Sequence, residues 1–433
     1  MGSGHGHAHL HGDPDGGGAG GGRVRFFERP TGLSRWFTGI AGVVLLATIV
    51  GLVALWPSGN VTSGLEGITT TFYDARIVRV AEVPCPGQPA VDDSPLLCAE
   101  IDAEVLEGPD AGLIVPLDLF DAASAALSEG EVIVLEFDER AAEGFQYRFS
   151  DRERSAVLVW LAVLFALAVV ALGRWRGVAA LVGLGASVAV LVVFTVPALV
   201  DGTDPLLVAL VSASAIAFAA VYLTHGVTTM STVALLGTLA ALALTAVLAT
   251  VFVGLAGITG LASEEAAFLQ LGSVRVELQG LVLAGIVIGA LGAIDDMTVT
   301  QSSAVWELRA AGRDRPMREL YRSGMRIGRD HVASTVNTLV LAYAGASLPL
   351  LLFFSLADRP VSVVANGELV ATEIVRTLVG SIGLVASVPL TTALAAWAAH
   401  RSVSGPRPSP EPPEASGSPE PPQALGPFGA PGT

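Results

Sequence analysis

The feature that most constrains this chain is a series of long apolar stretches. A bilayer core about 30 Å thick is crossed by a helix of about 20 predominantly apolar residues. Residues 37–56, 155–172, 177–200, 205–224, 229–254, 279–298, 333–356 and 377–399 all qualify. Across 433 residues the chain is 52% hydrophobic and only 15% charged, with a mean hydropathy of +0.62, which a soluble fold could not bury. The expectation is an α-helical integral membrane protein with about eight transmembrane helices. The first stretch is too long for a signal-peptide core. It is followed by Trp56-Pro57-Ser58-Gly59 rather than a small-residue cleavage site, so it is read as a retained signal anchor.

Arginines orient these spans, because cytoplasmic loops concentrate positive charge. Arg23, Arg25, Arg29 and Arg35 precede the first span, and Arg174 and Arg176 separate the second from the third. Arg309, Arg313, Arg315, Arg318, Arg322, Arg326 and Arg329 follow the sixth, and Arg401 and Arg407 follow the last. With eight spans every cluster falls on one side, so both termini are expected to be cytoplasmic. The opposite loops, Asp201 to Asp204 and the Glu264-Glu265 turn, are acidic or nearly bare. Arg275, Arg359, Arg376 and the pair Arg152 and Arg154 are exceptions to this sorting.

The net charge of −16 is concentrated in residues 57–151, which hold 19 acids and 4 arginines. This segment reads as short strands, at Phe72 to Val83, Ala99 to Leu106, Leu113 to Leu117, Glu131 to Phe137 and Phe145 to Phe149, with a turn at Glu107 to Gly112. Five short strands suggest a small extracytoplasmic β-rich domain of the OB or SH3 type. The only cysteines, Cys85 and Cys98, lie here; on the oxidising side they are expected to pair, against free thiols or a metal pair. The closed loop of about 14 residues would add roughly 3 kcal/mol in the chain-entropy model.

The chain contains no lysine, all 24 basic residues being arginine, which excludes a Walker A phosphate loop and a Schiff-base lysine. There is no HExxH and no GxSG, and no basic stripe of the kind that binds nucleic acid. The expectation is a non-enzymatic protein without a cofactor. Residues 1–36 form a His- and Gly-rich leader in which His5, His7, His9 and His11 alternate with other residues; they read as a metal-binding arm, a polar leader or an added tag. Residues 401–433 are Pro-rich and disordered by composition.

Polar residues inside the apolar runs mark the candidate site. Gly285, Gly289, Gly292 and Asp296 recur at i, i+4, i+7 and i+11, so they share one helix face, which Thr300 and Ser303 continue. The Gly285–Gly289 pair permits close helix approach, and on this reading the stripe turns Asp296 towards protein. Asp295 and Asp296, counted about 17 residues into the sixth span, read either as a cation or proton site or as residues of the inner interface. In the seventh span Asn337 and Thr338 share a face with Ser334 and Leu341, reading as a polar partner for Asp296 or Thr300 or as interhelical glue. His225, at the Thr224-His225-Gly226 junction, reads as a proton shuttle, a metal ligand or an interfacial residue. Residues 304–330 read as an amphipathic cytoplasmic connector that lies on anionic headgroups or serves only as a topology signal.

Three blocks carry a family resemblance: the THG junction at Thr224, GAxxDxxxxxxSAxxEL from Gly292 to Leu308, and GRDxxxxxxNTLxLAYxGxSLPLLL from Gly328 to Leu352. The chain resembles the YibE/F family of bacterial multipass membrane proteins, with the YibE-like and YibF-like portions joined. A weaker similarity links Gly292, Asp296, Asn337 and Thr338 to the membrane region of SecD and SecF. The resemblance implies a bacterial plasma-membrane protein and little about activity. Two functions are weighed: a proton- or cation-coupled transporter or export component of unidentified substrate, and a membrane scaffold or sensor whose extracytoplasmic domain binds a ligand or partner. The expected partners are the bilayer with its anionic headgroups and an unidentified solute or protein. A homo-oligomer is left open.

Overall fold

The protein is described by a computed structural model covering residues 32–58, 71–84, 97–119, 127–142, 144–262, 266, 276–312, 314–356 and 360–402. The four leader histidines, Cys85, and Arg23, Arg25, Arg29, Arg275, Arg313, Arg359 and Arg407 lie outside the described residues.

The acidic segment is a five-stranded antiparallel sheet in the order β3-β2-β1-β4-β5. Its strands are β1 (Thr71–Pro84), β2 (Leu97–Val105), β3 (Ile114–Leu119), β4 (Val132–Phe137) and β5 (Tyr147–Arg152). Side chains alternate between faces at a period of two. The inward set is Ala75, Ile77, Ile101, Ala103, Val105, Val115, Leu117, Ile133, Leu135 and Tyr147, all buried in one apolar cluster. The register of β1 shifts between Ile77 and Arg79, a bulge that leaves Val78 exposed. The two edge strands, β3 and β5, approach one another. Cys98 is buried and disulfide-bonded, and it pairs in register with Val83, two residues before Cys85.

The helices are α1 (Gly32–Ala54), α2 (Ser155–Gly173), α3 (Trp175–Val200), α4 (Pro205–His225), α5 (Thr229–Leu255), α6 (Leu278–Ala311), α7 (Met317–Ala346), α8 (Leu348–Leu356), α9 (Val361–Asn366) and α10 (Glu368–Ser402). Seven of them, α1 to α6 and α10, are long and apolar enough to cross a membrane; α7 and α8 together also pass but are bent by 58° at their junction. One π turn, Val190–Thr195, interrupts α3 just before Pro197. The buried centre of the bundle is made by α4, α5, α6 and α10, with Ala213, Ala217, Leu235, Leu242, Val287, Ile294 and Leu384 in one cluster.

Hydroxyl pairs join the helices where apolar packing alone would leave polar groups unsatisfied. Thr48 of α1 meets Ser214 of α4 at 2.7 Å, and Thr195 of α3 meets Ser212 of α4 at 2.7 Å. Within a bilayer such pairs contribute about 0.6 kcal/mol each on average.

The expected connector 304–330 is not a separate element. Residues 304–311 are the end of α6 and residues 317–330 the start of α7, with the chain turned at Gly312 and Pro316. Pro316 opens the second helix because its missing N–H needs no partner there. At this end of the bundle Phe37 packs edge-on against Trp397 at 5.2 Å, and Arg401 lies over the same indole. Arg309, itself buried, donates to the carbonyls of Arg315 at 2.8 Å and His400 at 3.4 Å, neutralising the C-terminal end of α10. At the far end, Glu368 accepts from the backbone N–H of Thr259 and Gly260 at 2.7 and 2.6 Å, tying the start of α10 to the turn after α5.

In the sheet, burial, followed by Glu153 and Glu107, raises the Asp74 carboxyl above its ordinary value. The folded state therefore holds this proton to higher pH than the unfolded state does. Stability falls as pH rises through that window, and the penalty is fully present at neutral pH. Asp74→Asn removes it. Limited proteolysis of the full chain should show the variant's sheet more resistant than wild type at neutral pH, with the difference lost near pH 3, below the ordinary aspartate range. Equal resistance at both pH values would contradict this assignment.

Candidate functional site

A helix of 34 residues rises about 51 Å, well beyond a bilayer core of about 30 Å. Asp295 stands at the midpoint of α6, roughly 25 Å from either end. Between Glu277 and Glu307, Asp295 and Asp296 are the only charged residues. The sequence reading ended this helix near residue 298 and so set the two acids close to an interface; the continuous α6 sets them near its middle.

The two carboxylates part company on the helix. Asp295 turns towards α5, where the fully buried Thr238 stands 3.4 Å from its Oδ1. Thr238 and Thr298 share a hydrogen bond of 2.6 Å, and Thr298 also reaches the Asp295 carbonyl at 3.0 Å. Each hydroxyl has one proton and two lone pairs. With Thr298 donating to Thr238, the Thr238 proton is free for the Asp295 carboxylate or for the Ala234 carbonyl, 3.1 Å away. The trio is thus a short chain of two hydroxyls beside a carboxylate.

Asp296 is exposed, as is Gly292. This corrects the expectation that the glycine stripe turns Asp296 into the protein. The bundle packs instead on the face carrying Ile294, Thr298 and Gln301, about 100° or more round the helix. Gly285 and Gly289 do permit close approach, but what enters is side-chain tips. A Cβ at Gly285 would lie 3.6 Å from Arg376, one at Gly289 would lie 2.6 Å from the Tyr343 hydroxyl, and one at Gly292 would meet nothing within 4 Å. Asn337 and Thr338 are exposed on α7, and the Thr338 hydroxyl is spent on the Ser334 carbonyl at 3.1 Å. Within one chain, among the described residues, Asn337 makes no hydrogen bond to Asp296 or Thr300. Thr300 itself is half-buried.

The junction holding His225 is built as a capped turn. Gly226 adopts φ 72°, a backbone state that a Cβ disfavours, and accepts from the Ser231 hydroxyl at 2.6 Å. Thr228 and Ser231 form a reciprocal capping box that opens α5. His225 is half-buried at the end of α4, and among the described residues no hydrogen bond ties it to the Asp295 seam. Among the described residues, no group of three His, Cys, Asp or Glu side chains could hold a metal ion.

Residues that the sequence reading passed over complete the seam. Buried Gln301 donates from one amide nitrogen to the Gly324 carbonyl at 2.8 Å and the Thr392 hydroxyl at 2.7 Å, tying α6 to α7 and α10. Gly324 and Gly328 are the pair that admits it, since a Cβ at Gly328 would sit 2.9 Å from its Oε1. Between α5 and α10, glycine and threonine interlock reciprocally: Gly237 faces Thr391, and Gly383 faces Thr245. The Thr391 hydroxyl is buried without a hydrogen-bond partner. Arg376 and Glu373 pair at 2.8 Å within α10, beside Gly285. Arg376 had entered the sequence reading only as an exception to charge sorting. Its position directly before the 377–399 run, three residues after Glu373, was the available signal.

The interlock yields a prediction. Gly237→Ala drives a methyl into Thr391 and should destabilise the protein by about 1–3 kcal/mol, as overpacking does. Adding Thr391→Ala should recover most of that loss in a thermal unfolding series in detergent. Additive losses in the double variant would contradict the contact.

With this geometry in hand, a family model described as YibE/F-like protein matches residues 161–401, from within α2 through α10 and excluding the sheet and α1. Comparison with curated proteins and with solved structures finds no match. The family match takes in more than half of the 433 residues, and the chain belongs to the YibE/F-like family.

Proposed function

We propose that this protein is a proton- or cation-coupled transporter or export component of a bacterial plasma membrane, with Asp295 as its coupling carboxylate. The observation that carries the reading is the Asp295–Thr238–Thr298 trio midway along α6. An ionisable group at the centre of an apolar bundle is expensive to keep unless it binds something. Here it is met by hydroxyls that can pass or share a proton, not by a fixed counter-charge. The unpartnered Thr391 hydroxyl lies against Gly237, the neighbour of Thr238, and extends the polar seam along α10.

Eight crossings and two cytoplasmic termini fit this reading. The start of α1 and the end of α10 meet through Phe37 and Trp397, and α6 ends beside them at Arg309. The chain then leaves that end at Leu320 and returns to the far end by Glu368, so α7 and α8 supply the eighth crossing. The arginine-rich end faces the cytoplasm and its anionic headgroups. The sheet, with its approaching edge strands, is read as a small barrel of the OB or SH3 type on the opposite side.

The test is a proteoliposome assay with a pH-sensitive dye inside and an imposed proton gradient, with candidate ions and peptides added outside. Wild type should give a dye response that Asp295→Asn abolishes and Thr238→Val reduces about tenfold or more, with insertion unchanged. A response that survives Asp295→Asn would remove it as the coupling group. Silence of both proteins, with function lost only on deleting residues 71–152, would favour the scaffold or sensor reading.

A further inference from the structure

Two outward faces of this bundle, one on α2 and one shared by α6 and α7, present opposite chemistry. α2 has no buried residue, and its exposed side chains include Val157, Leu158, Trp160, Leu161, Leu164 and Phe165. That face needs only lipid. α6 instead exposes Gly289, Gly292 and Asp296, and α7 exposes Ser334, Asn337 and Thr338. These two sets lie at similar depth. α7 rests on α6 where Gly328 meets Gln301 and again where Tyr343 meets Gly289, and Asp296 lies between those two points on α6 just as Ser334 lies between them on α7. Hydrocarbon offers no donor to a carboxylate and no acceptor to an amide, so a polar face at this depth is stable only against protein or water.

We propose that a second copy of the chain covers this face, bringing Asp296 of each copy against Ser334 and Asn337 of the other. The occupant follows from self-complementarity. The face holds carboxylate acceptors on α6 and amide and hydroxyl donors on α7, so a two-fold arrangement satisfies both with no further polypeptide. Gly292 supplies the close approach, since the space over it is open within its own chain. Small-residue faces of this kind pack helices in bilayers, where the apolar α2 surface gains nothing by leaving lipid. The arrangement places each Asp296 in a buried interface one residue from the Asp295 trio. It rests on the chain being membrane-embedded and not on the transport reading.

The test uses the full chain in its membrane. Chains carrying Gly292→Cys are co-expressed with chains carrying Thr338→Cys, with Leu161→Cys as a lipid-facing control, and the membranes are oxidised with copper phenanthroline. The Gly292→Cys and Thr338→Cys pair should give a reductant-sensitive band at twice the chain mass, and Leu161→Cys should not. A Cβ at Gly292 meets no atom of its own chain within 4 Å, so Gly292→Leu should leave thermal stability unchanged. In single-molecule photobleaching in dilute bilayers it should weaken association about tenfold or more, converting two-step traces to one-step. Single-step bleaching of wild type at every lipid dilution would overturn the proposal. So would cross-linking at Leu161 as efficient as at Gly292, or cross-links from Gly292→Cys only to a polypeptide of different mass.

Discussion

The hydroxyl-to-carboxylate contact between α5 and α6 is the constraint to which the rest of the bundle answers. In the bilayer core a polar group has no water to turn to, so its partner must come from the protein. Thr238 meets that demand for the Asp295 carboxylate and pairs with Thr298 beside it, and these contacts set the rotation of α6 against α5. Once that rotation is set, Ile294 and Gln301 fall towards α10, and Gly292 and Asp296 fall on the open side. The same rule recurs at Thr48 with Ser214, Thr195 with Ser212, and Gln301 with Thr392. Polar contacts specify which helix faces meet, and small residues let them meet closely.

α10 is the helix on which most of these constraints converge. It interlocks with α5 through two glycine–threonine contacts and accepts Gln301 from α6. Its ends are held by different devices: Glu368 in a cluster of backbone N–H groups, and Arg309 on the His400 carbonyl of its last turn. A helix clamped at both ends and grooved along its length is a rigid strut. The long α7, bent away into α8 and buried only near Leu320, Gly324 and Gly328, is the less constrained neighbour. Movement between these two would alter the surroundings of Gln301 first.

Much of the architecture was legible in residue order. Long apolar runs marked the spans and alternation marked five strands, while two acids in an otherwise uncharged run marked a candidate site but not its place at the middle of α6. Which acid faces inward was not legible. The stripe Gly285, Gly289, Gly292 and Asp296 states only that one face is small, and the partners that fill it, Arg376 and Tyr343, are distant in sequence. The extent of α6 was hidden as well, because the apolar run fails at Gln301, Ser302 and Ser303, and only the fold shows Gly324, Thr392 and Met230 satisfying Gln301 and Ser302. His225 misled in the opposite direction: its polar surroundings are turn chemistry, with Gly226 and the Thr228–Ser231 cap accounting for them.

The central claim is that Asp295 lies at the middle of the membrane and is held there by α5. Electron cryomicroscopy of the full chain in a lipid nanodisc tests it most directly, because the disc itself marks the bilayer. The account predicts the Asp295 Cα within about one helical turn, some 5 Å, of the disc midplane, with its carboxylate facing Thr238. Finding Asp295 at the level of the headgroups, or turned away from α5 while Asp296 occupies that seam, would contradict it.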